Sequence, residues 1–411
     1  MCQQDHDPDT TPPVSTSHHN DPFPWHLPIY DAHCHPTDTM SSVPNIKNKM
    51  RTSALTIMAT RSQDQQLVAD VAADLGLKSR AQLRERQTEE HRGGAVVVPA
   101  FGWHPWFSHQ IQDDISNSAA QDSTQTQTTA EAKAVHYTSV LTPTPAEPFL
   151  ASLPNPTPLS QLLDQIRTHL SVHPLALVGE IGLDKAFRLP SAPEPASSPQ
   201  PSDLTPGGRE GRRLSPYRVK PEHQRAILEA QLKLAGEMSR GVSVHGVQAH
   251  GLLLETVSKG WKGHEKEVIS RRKRRLVAEG AESSDSDSED DSKSALAKRF
   301  LPYPPRICLH SFSASPEVLR QWLNPTIPSD IYFSFSIAVN AGSAGARDKL
   351  RAVIQLVPNE KILVESDLHI AGEEMDAALE EMYRFVCEVK GWELEEGAKR
   401  IAKNYEAFIF G

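Results

Sequence analysis

No apolar run in this chain reaches the roughly 18 residues needed to cross a bilayer. The opening stretch, MCQQDHDPDTTPPVSTSHHN, has no apolar segment of the secretory-leader kind. Neither a membrane-spanning nor a secreted protein is expected; a cytoplasmic or nuclear location is. Cysteine is scarce: only Cys2, Cys34, Cys308 and Cys387 occur, and no two form a CxxC. That argues against a disulfide scaffold or an all-cysteine zinc site, and fits a reducing compartment. Hydrophobic residues make up 38% of the chain, below the roughly 45–50% usual in a compact domain. Positive charge is also in deficit, with 43 Lys and Arg against 52 Asp and Glu and a net charge of −9. Simple phosphate neutralisation across the whole surface is therefore disfavoured. A nucleic-acid partner would need metal ions or a local basic patch to offset the charge.

Proline, by contrast, is abundant, with 32 residues. Residues 1–28 are expected to form a disordered tail, and three internal stretches read as low-complexity insertions. Residues 112–147 are rich in Gln, Thr, Ser and Ala; 189–216 carry PSAPEPASSPQPSDLTPGG. Residues 259–300 carry a basic run, Arg271-Arg272-Lys273-Arg274-Arg275, then an acidic one, SSDSDSEDDS at 283–292. Such segments bury too little apolar surface to offset chain entropy. The remainder, one domain over 29–411, is close to the roughly 250 residues of a single (β/α)8 barrel.

That remainder alternates. Eight β-rich runs occur at 29–35, 54–60, 95–105, 175–184, 241–247, 306–313, 331–337 and 361–367. Helical patterns lie between most of them: Leu67, Val68, Val71 and Leu75 form one stripe, and Ile227, Leu228, Leu232 and Leu234 another. Two helices are expected to close the chain, over 373–390 and 393–409. Apolar strands alternating with helices predict a parallel sheet covered on both faces, and eight units predict an α/β fold closed as a TIM barrel. The runner-up is an open doubly wound sheet, disfavoured because no GxGxxG or P-loop follows any strand.

Chemistry-bearing residues recur near the C-terminal ends of these strands: His33, His35, His104, Glu180, His245, His310 and Asp367. In a barrel those ends form the catalytic face. His33 and His35, two apart on a strand, share a face about 6.6–6.8 Å apart along it, with Cys34 pointing away. They are either metal ligands or a strand end with two partly exposed imidazoles. Asp31 and Asp38 are candidates to orient them. Glu180 lies inside the apolar VGEIGLD and needs a partner when buried, either a metal or a salt bridge with Lys185 or Arg188. A carboxylate can bridge two ions, which an imidazole seldom does. His245 and His310 each follow an apolar run and are ligands or satisfied core histidines. Asp367 is a ligand or a helix N-cap. Together they make a nitrogen–oxygen set suited to zinc, manganese or magnesium. Two ions about 3.5–4 Å apart could serve hydrolysis at phosphorus; amide or ester hydrolysis stays open on the same ligands.

The stretches DAHCHPTD (31–38), FGWHPW (101–106), VGEIGLD (178–184), VSVHG (242–246), LHSFSAS (309–315), YFSFS (332–336) and LVESD (363–367) resemble the TatD family of metal-dependent deoxyribonucleases, within the amidohydrolase-like barrels. They stand in family order across nearly the whole folded part. The long polar insertions are similar to the fungal branch, some of whose members are described as partners of an anaphase-promoting-complex subunit. The resemblance implies phosphodiester hydrolysis of DNA, often exonucleolytic, with two divalent ions (magnesium, manganese or zinc). It implies that His33, His35, Glu180 and Asp367 hold one ion and Glu180, His245 and His310 the second. Asp367 would also help deprotonate water, and His104 would contact substrate phosphate. Departures are Gly246 in place of the usual Cys, Glu365-Ser366-Asp367 for the common ETD, Leu368-His369 after the last acid, and Lys185 with Phe187-Arg188 after GLD. None removes a ligand. Lys185 and Arg188 are either phosphate contacts or solvated charges.

Other features each have two readings. Arg271–Arg275 is a nuclear-import or nucleic-acid signal, or a solvated charge run. The acidic tract is a kinase substrate or a plain linker. Trp103, Trp106 and Phe107 stack on a base or, the favoured reading, pack the loop. The alternative to an enzyme is a binding protein whose insertions dock onto a cell-cycle assembly.

Overall fold

The computed structural model describes residues 21–85, 94–116, 129–192, 205, 212–268 and 300–411. The eight β-rich runs give eight strands: β1 (Tyr30–Cys34), β2 (Ala54–Met58), β3 (Val96–Phe101), β4 (Leu177–Asp184), β5 (Val242–Val247), β6 (Arg306–Leu309), β7 (Asp330–Phe335) and β8 (Ile362–Val364). They form one sheet in chain order, every neighbouring pair parallel. The ends of the sheet meet just beyond β8. Asp367 N–H donates to His33 O at 3.0 Å, and His35 N–H donates to Leu368 O at 2.8 Å. The sheet is thus an eight-stranded barrel, as the alternation predicts. Every residue of β1 and of β2 is buried, which is why these runs are apolar on both faces rather than alternating.

Helices cover the outside: α1 (Val43–Asn48), α2 (Ser62–Leu75), α3 (Leu159–Val172), α4 (Pro221–Glu237), α5 (His250–Ser258), α6 (Pro316–Trp322), α7 (Ala344–Leu356), α8 (Glu373–Lys390) and α9 (Leu394–Phe410). The predicted stripes face inward. Val68 and Val71 are buried, as are Ile227, Leu228, Leu232 and Leu234, while Leu67 and Leu75 are half-buried. Helix starts follow local chemistry. Pro221 fits the first turn of α4, and the Ser343 hydroxyl caps α7 by accepting from Ala346 N–H. Gly391 ends α8 in the left-handed region at φ 64°, a conformation that glycine reaches without a Cβ penalty. No helix among the described residues is long and apolar enough to cross a membrane.

The expected tail and insertions are less empty than composition predicts. Phe23 is buried against Tyr383 of α8 at 6.0 Å between ring centroids. Residues Thr129–Val140 form a helix and Leu141–Thr142 pairs antiparallel with Arg218–Val219. Tyr137, Val140, Leu141, Phe149, Leu189 and Val219 make a satellite core beside the barrel. Trp261 is buried and donates to Ser329 Oγ at 2.9 Å. The apolar residues sprinkled through these polar stretches explain the difference: a few large side chains order a segment whose average composition reads as unfolded. The runs at 271–275 and 283–292 lie outside the described residues.

Asp376, in the first turn of α8, ties that helix to the segment entering β2. Its carboxylate accepts from Arg51 N–H at 2.7 Å, Thr52 N–H at 3.1 Å and Thr52 Oγ–H at 2.5 Å. Asp376→Ala removes the acceptor of three largely buried donors, and we expect a loss of about 2–3 kcal/mol, read as a lower midpoint in urea unfolding.

Candidate metal centre

Two backbone irregularities set the site. The β1–β2 register shifts between Asp31 and Cys34, and the β4–β5 register between Val178 and Ile181. These breaks fall at His33 and Glu180. A bulge re-aims a side chain that the regular pleat would send elsewhere. Gly102, just past β3, allows the second one. A Cβ on it would lie 2.8 Å from the carbonyl carbon of Gly179, so any side chain there would push β4 away. Asp367 sits in the left-handed region at φ 57°, a strained choice for a non-glycine residue. Its N–H bond to His33 O, across the seam of the barrel, holds it there.

Glu180 is buried at the centre of five imidazoles. Its Oε1 lies 3.0 Å from His104 Nε2, 2.8 Å from His245 Nδ1 and 2.7 Å from His310 Nε2. Its Oε2 lies 3.4 Å from both His33 Nε2 and His35 Nε2. The two histidine nitrogens of β1 are 3.1 Å apart, and Asp367 Oδ1 stands 3.8 and 3.3 Å from them. His245 Nδ1 and His310 Nε2 are also 3.1 Å apart. Donor atoms about 2.1 Å from a tetrahedral ion lie about 3.4 Å from one another. The first set, at 3.1–3.8 Å, brackets that spacing; the second, at 2.7–3.1 Å, is tighter, and Glu180 offers one oxygen to each. His33, His35, Glu180 and Asp367 could hold one divalent ion; Glu180, His245 and His310 could hold another. The triads His33, Glu180 and His310, and His33, His35 and Asp367, each keep one ligand atom apiece within 4.8 Å of the others, as do His104, Glu180 and His245, and His310, Glu365 and Asp367.

Hydrogen bonds fix which nitrogen each ring presents. His33 Nδ1 pairs with Ser243 Oγ at 2.8 Å, leaving Nε2 for the centre. His245 Nε2 faces Asp184 Oδ2 at 3.3 Å, leaving Nδ1. Such outer partners set ring tautomer and orientation. His104 differs. Its Nδ1 accepts from Trp106 N–H at 3.1 Å, so in the neutral ring the proton sits on Nε2 and points at Glu180 Oε1. That makes His104 a hydrogen-bond donor at the mouth rather than a lone-pair ligand. Burial lowers its pKa to about 4, which keeps the ring neutral.

The charges interlock. Burial alone would raise the Glu180 carboxyl, but His104, His310 and His33 hold it well below its ordinary value. Asp367 is lowered too: His35, His33 and His310 outweigh its burial. Burial works to lower His35, yet the hydrogen bond to Asp367 and the charge of Glu180 raise it to about 9. His310 is raised well above the usual value against its burial, chiefly by Glu180, and His245 is raised by Asp184 and Glu180. Protons on these rings thus occupy the positive role that divalent cations would take. Binding of a cation must displace them.

Some residues do not stand where the sequence suggested. Asp31 touches no imidazole. It accepts from His33 N–H at 3.0 Å and from the Ser366 N–H and hydroxyl, locking backbone rather than ring. Asp38 lies 3.0 Å from Arg61 and 2.8 Å from His369 Nδ1; its N–H bonds His35 O at 2.9 Å and its charge helps raise His35, but its carboxylate makes no hydrogen bond to a ligand ring. Lys185 and Arg188 are exposed and make no ion pair among the described residues, so the salt-bridge alternative for Glu180 does not form. Cys34 does face away, its thiol 3.5 Å from Thr56 O. Trp103 and Phe107 are buried, as the packing reading has it, whereas Trp106 is 37% exposed. Sequence reasoning passed over Asp184, Ser243 and Glu365. Glu365 is fully buried, accepts from Ser311 N–H at 2.7 Å and from Ser334 Oγ–H, and lies 3.7 Å from His310 Nδ1. The clue was available: acids inside apolar runs need partners, and GLD and VESD each carry one.

A family model described as "TatD related DNase" matches residues 30–410. "Cut9-interacting protein scn1" of Schizosaccharomyces pombe is 36% identical over 381 residues, covering 93% of this chain and 98% of that protein. "Uncharacterized deoxyribonuclease YMR262W" of Saccharomyces cerevisiae is 25% identical, covering 76% of this chain and 82% of that one. Among solved structures, YJJV, a TatD homologue of Escherichia coli, matches at 15% identity and TM-score 0.47, covering 93% of this chain and 98% of that chain.

The shared carboxylate gives an unequal pattern of losses. We expect His35→Ala to weaken one ion and His245→Ala the other, while Glu180→Gln weakens both, by metal content after dialysis. Calorimetry with manganese or zinc in buffers of different ionisation enthalpy should show proton release near pH 7, falling away as pH rises through about 9, where His35 gives up its proton unaided.

Proposed function

Because the chain belongs to the TatD related DNase family, we propose that it is a metal-dependent hydrolase of DNA phosphodiester bonds, exonucleolytic in action and working in the nucleus or cytoplasm. The observation that carries this reading is the pair of donor sets meeting on the two oxygens of Glu180. In this reading His33, His35, Glu180 and Asp367 hold one ion, and Glu180, His245 and His310 the second; magnesium, manganese and zinc all suit such ligands. A pair of divalent cations would supply Lewis acidity to the phosphate and acidify the attacking water.

The chain's own groups do the rest. Asp367 is held deprotonated, so its carboxylate can take a proton from water at the mouth. The His104 Nε2–H, now directed at Glu180 Oε1, can donate to a phosphate oxygen. Asp184 and Ser243 keep the rings of His245 and His33 from turning. Lys185 and Arg188 stand exposed beyond β4, placed to attract the polyanion. The positive centre lets an acidic protein bind a phosphate.

A second reading rests on a different observation. The fission-yeast relative, similar over almost its full length, is named a Cut9-interacting protein, which fits a partner in the anaphase-promoting complex. The two roles are compatible on one chain.

With labelled single- and double-stranded DNA and manganese or magnesium, we expect release of short products from the ends. Asp367→Asn should slow turnover by about 10²- to 10⁴-fold, the usual worth of a positioned proton acceptor. Intact DNA alongside hydrolysis of an acyl substrate would refute the nuclease reading. A pull-down of a candidate complex subunit that succeeds equally with wild type and with His33→Ala/His35→Ala assigns partner binding to surfaces away from the metal ligands.

A further inference from the structure

Directly after Asp184 the chain leaves β4 and returns as a two-stranded extension. Ser191 N–H bonds Arg213 O at 2.7 Å, Ser215 N–H bonds Leu189 O at 2.7 Å and Leu189 N–H bonds Tyr217 O at 2.9 Å. The return strand then pairs Arg218 with Thr142. Leu189 and Val219 are buried in the satellite core, so the extension is fixed to the barrel rather than trailing from it. Its root is the site itself: Ala186 and Phe187 N–H both donate to Asp184 Oδ1, at 2.7 and 2.9 Å.

The charges of this extension stand out. Lys185, Arg188, Arg213 and Arg218 are all exposed, and none makes an ion pair among the described residues. On the outer helices several arginines are paired instead. Arg347 pairs with Glu381, Arg351 with Glu388 and Arg400 with Glu396. In a chain of net charge −9, this one short element beside the mouth carries four exposed cations with no acidic partner among the described residues. At its base the indole of Trp106 stacks on Phe187, with 4.5 Å between centroids and 9° between planes. Trp106 Nε1–H donates to Asp184 Oδ2 at 2.6 Å. A half-exposed ring face thus adjoins a row of cations, the combination that binds a polynucleotide strand: phosphates on the charges, a base on the ring.

We propose that this extension, 185–191 with 212–219, is a docking surface for the nucleic-acid strand that leads away from the metal centre. The inference rests on the nuclease reading for the identity of the polyanion. It assigns Arg213 and Arg218, far from the ligands in sequence, to strand binding, and gives Trp106 a base-facing role besides its bond to Asp184.

The test is equilibrium binding of a fluorescent, nuclease-resistant phosphorothioate oligonucleotide to the full chain with manganese, across a salt series. Arg188→Ala/Arg213→Ala/Arg218→Ala should flatten the slope of log affinity against log salt by about 2, given about 0.7 per single-strand phosphate contact. Lysine at the same three positions should keep the slope. Arg347→Ala/Arg351→Ala/Arg400→Ala should leave it as in wild type. An unchanged slope in the first variant, or an equal loss in the outer-helix variant, overturns the proposal. So does a slope that responds only to removal of residues 283–292, which would make the chain's own acidic run the occupant. Binding needs no turnover, so absence of DNA cleavage with an arginine-dependent slope would count against the nuclease reading alone.

Discussion

A carboxylate buried in a protein interior must find positive charge close by, because water no longer supplies it. Glu180 is such a group, and much of the molecule answers to it. Five imidazoles from four different strand ends stand within 3.4 Å of its two oxygens. Removing one leaves the others crowded around a charge they share, which is why the rings and acids shift one another's proton affinity so strongly. A cation in each donor set would relieve the same tension by a different route. The ligand arrangement is therefore not an ornament on the barrel; it is the condition under which a charged residue can occupy β4.

The backbone pays attention to that condition before the side chains do. Strand β1 breaks register at His33 and β4 at Glu180. Gly102 clears room for the second break, and Asp367 accepts an unfavourable φ to reach the same centre. Asp31 is the hidden brace. Its carboxyl, pushed up by burial to about 7, clamps the β1 backbone to Ser366 beyond β8. Closure of the barrel brings residues more than three hundred positions apart side by side; the irregularities aim them at one coordination sphere.

Much of this was legible in the sequence. The eight apolar runs became eight strands because a parallel barrel buries both faces, and that leaves a continuous apolar signature. Acids and histidines at the ends of those runs pointed to one pole. What the sequence concealed was orientation. Asp31 and Asp38 lie near the histidines in the chain, yet proximity along the chain does not determine which atom a carboxylate meets. Asp184, Ser243 and Glu365 orient the site from neighbouring strands, a relation only the register reveals. The insertions misled for another reason. Average composition hides Tyr137 and Trp261, and a few large rings suffice to order a polar segment against an existing core.

The seam between β1 and the end of β8 is held by Asp367 N–H to His33 O and His35 N–H to Leu368 O. The same residues that shut the ring supply one donor set. A nascent chain still on the ribosome carries β1 and its histidines long before Asp367, their acidic counterpart, is made. That donor set therefore cannot assemble until the segment just beyond β8 has been synthesised, and a product terminated before it would have an open cylinder and half a grip on its ion.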